Sequence, residues 1–268
     1  MRRFFLAGVA AGVLLLAGAA VAQDDEAARA ARWNDLAHEI FGAKPLQAGG
    51  AKIALEAPER AEDAALVPVT ISVENPKEVK SLTLVIDDNP APVAARVTFG
   101  PVGDPQSLKL RVRINQYTYM HAIEETKDGA LYETHRFVKA SGGCSAPSGS
   151  YDAQALAQIG QMKLRWLSKP QAGQARQAQL LIRHPNFNGM QKDEATQGYT
   201  PARFLKTVDV SLNGETVLHL DSDISLAADP AITFGVNRPD KGKLAITARD
   251  SDNAVFEQSF DLGTGGSG

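Results

Sequence analysis

Val67-Pro68-Val69-Thr70-Ile71-Ser72-Val73 places an apolar side chain at every second position and a polar or small one between. A period of two puts Val67, Val69, Ile71 and Val73 on one face of an extended chain, whereas a helix would scatter them around its axis. The same pattern recurs upstream at Ile53-Leu55 and downstream at Leu82-Leu84-Ile86, Val93-Ala95-Val97-Phe99 and Leu108-Leu110-Val112-Ile114. Between these runs lie Glu74-Asn75-Pro76, Asp87-Asp88-Asn89-Pro90 and Gly100-Pro101-Val102-Gly103-Asp104-Pro105, which supply the Asx, Pro and Gly chemistry of turns. Two further strands are expected at Tyr117 to Glu125 and Ala130 to Val138, joined by Lys127-Asp128-Gly129.

About seven short strands at this spacing predict an antiparallel β-sandwich of the immunoglobulin-like type. The pattern stops at Ala140-Ser141-Gly142-Gly143-Cys144-Ser145-Ala146-Pro147-Ser148-Gly149-Ser150, a run of small residues that reads as a linker or exposed loop. It resumes at Met162-Leu164-Trp166, Ala178-Leu180-Ile182, Val208-Val210-Leu212, Val217-Leu218-Leu220, Ile232-Phe234-Val236, Leu244-Ile246-Ala248 and Val255 to Leu262. The expected fold class is therefore all-β: two immunoglobulin-like antiparallel β-sandwiches, with one N-terminal helix. That helix is read from Asp24 to Phe41, where Trp33, Leu36, Ala37 and Ile40 share a face and Gly42 stands just past the end. It is expected to pack on the first sandwich.

The chain begins Met1-Arg2-Arg3, followed by an unbroken apolar and small-residue run from Phe4 to Ala20-Val21-Ala22 and then Gln23-Asp24-Asp25-Glu26. A basic start, an apolar stretch and a small-x-small end predict a secretory signal peptide cleaved near Ala22, in preference to a retained membrane anchor. Arg2-Arg3-Phe4-Phe5-Leu6 resembles a twin-arginine signal, while the apolar stretch equally suits the general secretory route. The expected organisation is signal peptide 1–22, first sandwich with helix 23–139, cysteine-bearing linker 140–156, second sandwich 157–262 and a flexible Gly/Ser tail 263–268 with no assigned function.

Of 268 residues, 28 are Lys or Arg and 31 Asp or Glu, a formal net charge of −3. No excess of positive charge is present to grip nucleic acid or an anionic membrane. A single cysteine, Cys144, excludes an intramolecular disulfide and any multi-cysteine metal cluster. The histidines, His38, His121, His135, His184 and His219, show no metalloenzyme spacing, and neither a Gly-x-Ser-x-Gly nor a phosphate-binding Gly-rich loop occurs. His121 and His135 can approach each other on adjacent strands, but no metal site is assigned to them, no cofactor is expected, and no catalytic residue is called.

Cys144 has Gly142, Gly143 and Ser145 as flexible flanks and no apolar neighbours in sequence, so an exposed thiol is expected. An exposed, unpaired thiol in an exported protein suggests use as a covalent handle. If residues 139–152 form a tethered arm that goes out and back at about 3.4 Å per residue, the thiol reaches roughly 24 Å from the surface. A solvated thiol with a pKa near ~8.5 is only about 3% thiolate at pH 7, so activation must come from folded neighbours or a partner. Arg183 and His184, in the long loop from Arg183 to Phe204, are the candidates for that support. The competing reading is a binding or assembly module in which Cys144 is incidental. A thioredoxin-type function is disfavoured by the lack of a Cys-x-x-Cys pair.

Arg111-Val112-Arg113-Ile114-Asn115-Gln116-Tyr117-Thr118-Tyr119, leading to Val138-Lys139-Ala140-Ser141-Gly142-Gly143-Cys144, resembles SoxY of the periplasmic sulfur-oxidation system. Arg183-His184-Pro185, Gly189 with Lys192-Asp193, Pro201-Ala202-Arg203-Phe204 and Asn213-Gly214 resemble SoxZ. The order is similar to that of the fused SoxYZ-like carriers associated with quinoprotein dehydrogenases. The resemblance implies a non-catalytic periplasmic carrier on which Cys144 holds a sulfur-containing intermediate, thiosulfate in the parent system. It also implies sulfur-oxidation, quinoprotein or cytochrome partner enzymes, and no membrane anchor once the signal is removed. In SoxY the Gly-Gly-Cys stretch ends the chain as a free arm; here it lies inside the polypeptide.

Overall fold

In a computed structural model, residues 12–146, 153–168, 174–192, 198–237 and 241–262 are described, with side chains from residue 26 onward except those of 153 and 154. The expected C-terminal tail, part of the expected signal segment and residues 147–152 of the expected linker lie outside them. The chain divides into two compact units, Met1–Lys44 and Pro45–Gly268.

The first unit is helical. Helix α1 (Gly12–Phe41) starts well before the Asp24 read from the sequence and runs unbroken past Ala22. No helix among the described residues is long and apolar enough to cross a membrane. The stripe of Trp33, Leu36, Ala37 and Ile40 is half-buried, while Asp35, His38 and Glu39 are exposed. Gly42 ends the helix as anticipated: at φ 68° it adopts the left-handed conformation and its N–H bonds to His38 O at 2.9 Å.

The second unit holds all the strands among the described residues. The first half of the sequence supplies β1 (Leu46–Ala48), β2 (Ile53–Glu56), β3 (Val67–Val73), β4 (Val79–Ile86), β5 (Val93–Phe99), β6 (Gly103–Val112), β7 (Thr118–Thr126) and β8 (Leu131–Val138). After a short helix, α2 (Ala153–Leu156), the second half supplies β9 (Met162–Trp166), β10 (Arg176–Ile182), β11 (Leu205–Leu212), β12 (Glu215–Ser222), β13 (Ala231–Val236), β14 (Gly242–Asp250) and β15 (Val255–Leu262). The period of two is realised directly: in β3 Val67, Val69, Ile71 and Val73 are buried and Pro68 is exposed.

The strands form two sheets, ordered β1-β8-β7-β4-β5-β12-β11-β14-β15 and β2-β3-β6-β13-β10-β9. Each contains a block from the first half and a block from the second, so the two sandwiches are joined edge to edge in both layers. In one layer β12 pairs antiparallel with β5, Leu220 opposite Val97; in the other β13 pairs with β6, Thr233 opposite Lys109. One continuous core results, running from Ile53 and Ile71 through Val97 and Val112 to Leu180, Phe234 and Ile246.

This junction explains where the strand readings shift. The stretch Gly103-Asp104-Pro105, read as turn, opens β6, because Gly103 and Asp104 find partners in Val236 and Gly235 of the other half. Pro105 lies where the β6–β13 register slips, the position in a ladder at which a missing N–H costs least. Strand β1 carries no periodic signal and exists because Leu46, Gln47 and Ala48 pair in parallel with Leu131, Tyr132 and Glu133. The β11–β12 hairpin turns at Asn213 (φ 53°) and Gly214 (φ 87°), the Asn-Gly pair that a tight two-residue connection favours.

Candidate functional site

Cys144 is not exposed. Only 1% of its surface meets solvent, and residues 140–146 lie docked against the body of the protein. Lys139 N–H bonds to Glu59 O and Ala61 N–H to Lys139 O, an isolated parallel bridge just past the end of β8 and before the cysteine. Beyond the end of β6, Ile114 N–H bonds to Ala64 O at 2.8 Å, and two glycine amides then bond to the residues that follow β6: Gly142 N–H to Asn115 O (2.8 Å) and Gly143 N–H to Ile114 O (2.9 Å). The chain next turns tightly, with Ser145 N–H, Ala146 N–H and the Ser145 hydroxyl all donating to Gly142 O.

Both glycines are required, for different reasons. A Cβ on Gly143 would stand 2.0 Å from Ala64 O and 2.7 Å from Ile114 O, so no side chain fits. A Cβ on Gly142 would meet nothing within 4 Å, but its φ of 81° favours glycine. The glycines read from sequence as giving the arm freedom thus seat it instead.

The second half of the sequence closes the site. Asn188, itself buried, donates its side-chain N–H to Cys144 O at 2.7 Å and is held by Gln191 and Met190. Arg113, 2% exposed, donates from Nη1 to Asn186 O at 2.8 Å. Asn186 sits at φ 44° and is tied by its side chain to Ala227 O and Leu205 N–H. The loop that begins at Arg183 therefore forms one wall of the cysteine's seat, and Arg113 bridges the halves beneath it.

Arg183 and His184, the candidates for support of the thiol, do other work. Arg183 pairs with Asp229 at 2.7 Å, half-exposed. His184 is fully buried: its Nδ1 accepts from Asn186 N–H, and its Nε2 lies 3.6 Å from Asp250 Oδ2. Asp250 is held in turn by Arg203 Nε at 2.9 Å. These residues fix the shape of the loop, His184 through Asn186, while the loop residue that bonds to Cys144 is Asn188. The basic group that acts on the sulfur is Arg113.

Burial pushes the Cys144 thiol up to about 11, and the nearby Arg113 guanidinium offsets only part of that rise. At neutral pH a thiol with such a pKa is on the order of 10⁻⁴ thiolate, far below the few per cent expected of a solvated one. The docked cysteine is a protected, weakly nucleophilic group. Sequence reading missed both its burial and Arg113, because the covering groups come from residues 64, 113–114 and 186–188. Their one local trace was Arg113, a charge between two apolar residues, Val112 at the end of β6 and Ile114 just past it, in a run where all three are buried.

The SoxY family model, described as sulfur oxidation protein SoxY, matches residues 37–144 and ends on Cys144 itself; that of SoxZ, sulphur oxidation protein SoxZ, matches residues 164–261. The chain is a fused SoxY–SoxZ protein. The sulfur carrier protein SoxY from Chlorobium limicola f thiosulfatophilum is 29% identical, with a TM-score of 0.38, over 44% of this chain and 99% of that one. A superoxide reductase (neelaredoxin) from Ignicoccus hospitalis is 18% identical, with a TM-score of 0.30, over 33% of this chain and 79% of that one. None of the curated proteins matches the chain. The seam between the SoxY and SoxZ domains is the pairing of β5 with β12 and of β6 with β13, and Cys144, the last residue of the SoxY match, is held at that seam by the SoxZ residue Asn188.

Proposed function

We propose that this chain is a periplasmic carrier in sulfur oxidation, on which the Cys144 Sγ is loaded with a sulfur-containing group by one partner enzyme and unloaded by another. The observation that carries this reading is the position of the chain's one cysteine at the end of the SoxY match, on a Gly-Gly segment seated by a few backbone hydrogen bonds. In this reading the structure is the docked, protected state. Loading requires release of residues 140–146, which breaks the Gly142, Gly143 and Asn188 hydrogen bonds. At about 1 kcal/mol net for each, release costs roughly 3 kcal/mol, so on the order of 1% of molecules present the thiol at any moment. A partner that binds the released arm draws on that population.

Oxidative loading with an anion such as thiosulfate forms a bond from Sγ to the outer sulfur, releases the thiol proton and gives up two electrons. In this reading the loading partner, a haem- or quinone-containing oxidoreductase, accepts them. The chain itself performs no turnover.

Mass spectrometry of the protein purified without reductant from its host tests this. A mass increment confined to Cys144, lost in Cys144→Ala together with the host's growth on the sulfur source, is expected. An unmodified cysteine under sulfur-oxidising conditions, with no phenotype for Cys144→Ala, would discard it. Burial of Cys144 favours one alternative, an assembly partner of a periplasmic quinoprotein dehydrogenase or its cytochrome in which the cysteine is a structural residue. That reading expects equal partner affinity for the wild type and Cys144→Ser.

A further inference from the structure

The pairing of β7 with β8 sets His121 directly opposite His135, with ring centroids 5.3 Å apart. Glu133, two residues before His135, lies on the same face of β8. Its Oε1 is 2.7 Å from His121 Nδ1 and 3.0 Å from His135 Nδ1, so two imidazoles and one carboxylate converge on a single point. The three ligating atoms all lie within 4.8 Å of one another. From behind, the buried Asp87 places Oδ2 3.2 Å from His121 Nε2. When Nε2–H donates to Asp87, the Nδ1 lone pair of His121 points toward Glu133 and His135.

We propose that His121, Glu133 and His135 form a binding site for a zinc-class divalent cation, with Asp87 as the outer carboxylate that orients His121. Two imidazoles and a carboxylate are a donor set that borderline transition ions accept, whereas calcium and magnesium demand oxygen ligands. A tetrahedral ion with bonds of about 2.1 Å separates its ligand atoms by roughly 3.4 Å. The two N···O distances therefore open by roughly half an ångström on binding. His135 can make that adjustment, since its side chain is 54% exposed, while His121 and Glu133 (4% and 15%) hold the other two corners. Solvent on the His135 side leaves the fourth position to water. A 2+ ion also neutralises the pair of carboxylates, Asp87 and Glu133, that flank the buried imidazole. The hydrogen bond from the ring nitrogen remote from the ion to a carboxylate is the usual outer support of a ligating histidine.

His219 provides the contrast. It faces Asp209 and Asp221 at 2.6 and 3.2 Å, but both carboxylates are more than half exposed and no second histidine joins them. That cluster makes an ordinary surface ion pair.

Titration of metal-stripped full chain carrying Cys144→Ser with Co²⁺, followed by its visible d–d bands and then by displacement with Zn²⁺, tests the proposal. The Cys144→Ser background removes thiolate binding. One Co²⁺ per chain with tetrahedral-type bands, displaced by Zn²⁺, is expected. His135→Ala, at an exposed position that leaves the fold intact, weakens binding at least tenfold, and Asp87→Asn weakens it 10- to 100-fold at unchanged stoichiometry. His219→Ala leaves it unchanged. No saturable one-equivalent binding, or binding that survives His135→Ala, would overturn the assignment, as would a loss as large in His219→Ala.

Discussion

Cys144 and Arg113 set the reactivity of the carrier between them. With the thiol held at about 11, its reaction with iodoacetamide should stay slow at neutral pH and keep accelerating well past pH 9, where a solvated cysteine would level off. Rates measured from pH 6 to 11 on native and urea-unfolded chain check this, the unfolded chain reacting faster at every pH below 9. The same shift bears on stability. Well below the ~8.5 of a solvated thiol both states hold the thiol proton; as pH rises through that value the unfolded chain releases the proton first, so this contribution to stability declines as pH rises toward 11. Arg113→Met removes the donor to Asn186 O and leaves that buried carbonyl without its guanidinium. Loss of a charge-assisted bond of this kind costs about 1.5–3 kcal/mol, readable as a shift in the urea midpoint at unchanged slope. Residue-level reading of the sequence singled out Cys144 but not its state. Local composition around it is small and polar, and nothing in a stretch of eleven residues reveals that Ala64, Ile114 and Asn188 cover it.

At the scale of elements, the segment 140–146 and the loop that begins at Arg183 work as seat and clasp. Gly143→Ala drives a Cβ into Ala64 O, so the segment must lift away; Gly142→Ala meets open space and bears only the strain of a positive φ, about 1 kcal/mol. Maleimide labelling of Cys144 should therefore speed up strongly in Gly143→Ala and only a few-fold in Gly142→Ala, while the thermal midpoint of the sandwich body barely moves. Equal labelling of the two variants would mean that the glycines do not seat the arm. The clasp carries its own pH dependence. Burial holds His184 below its ordinary pKa despite the nearby Asp250. The unfolded chain takes up a proton near pH 6.5 while the folded chain resists, so this stability is complete above that value and falls away as pH drops through the folded pKa. His184→Asn keeps an acceptor near Asn186 N–H without a titrating ring. It should flatten the loss of stability between pH 7 and 5, seen as wild-type and variant urea midpoints that converge as pH falls rather than run parallel. The sequence picked out this loop by its length and its aromatic content. It could not show that Arg183 and His184 face Asp229 and Asp250 rather than the sulfur, because those partners lie some 45 to 66 positions away.

For the whole molecule, alternation of apolar and polar residues made fourteen of the fifteen strands among the described residues legible; β1, which exists through its neighbour β8, was not. What a period of two cannot encode is which strand edges meet, and the fusion of SoxY and SoxZ domains through β5–β12 and β6–β13 is an edge property. Its consequence is thermodynamic. Separated halves would expose four strand edges and cut through one continuous core, including the buried bond from Asn89 to Ser225 and the half-buried one from Asn237 to Gly103. The covalent connection between Ala146 and Ala153 contributes mainly effective concentration. Residues 45–146 and 153–262 expressed as two chains should therefore co-purify as a one-to-one complex, and the intact protein should lose both sheets in a single cooperative transition. Circular dichroism melts of the two-chain complex would show a midpoint that rises with protein concentration, as mass action requires, whereas that of the fused chain would not. Two independent transitions in the intact protein, or halves that fold and stay monomeric apart, would show that the shared sheets do not couple the domains. Cys144 sits on this seam. Any force that parts the SoxY and SoxZ edges near Arg113 and Asn186 also loosens the clasp on the arm, so labelling of Cys144 in the two-chain complex should accelerate on dilution in step with dissociation.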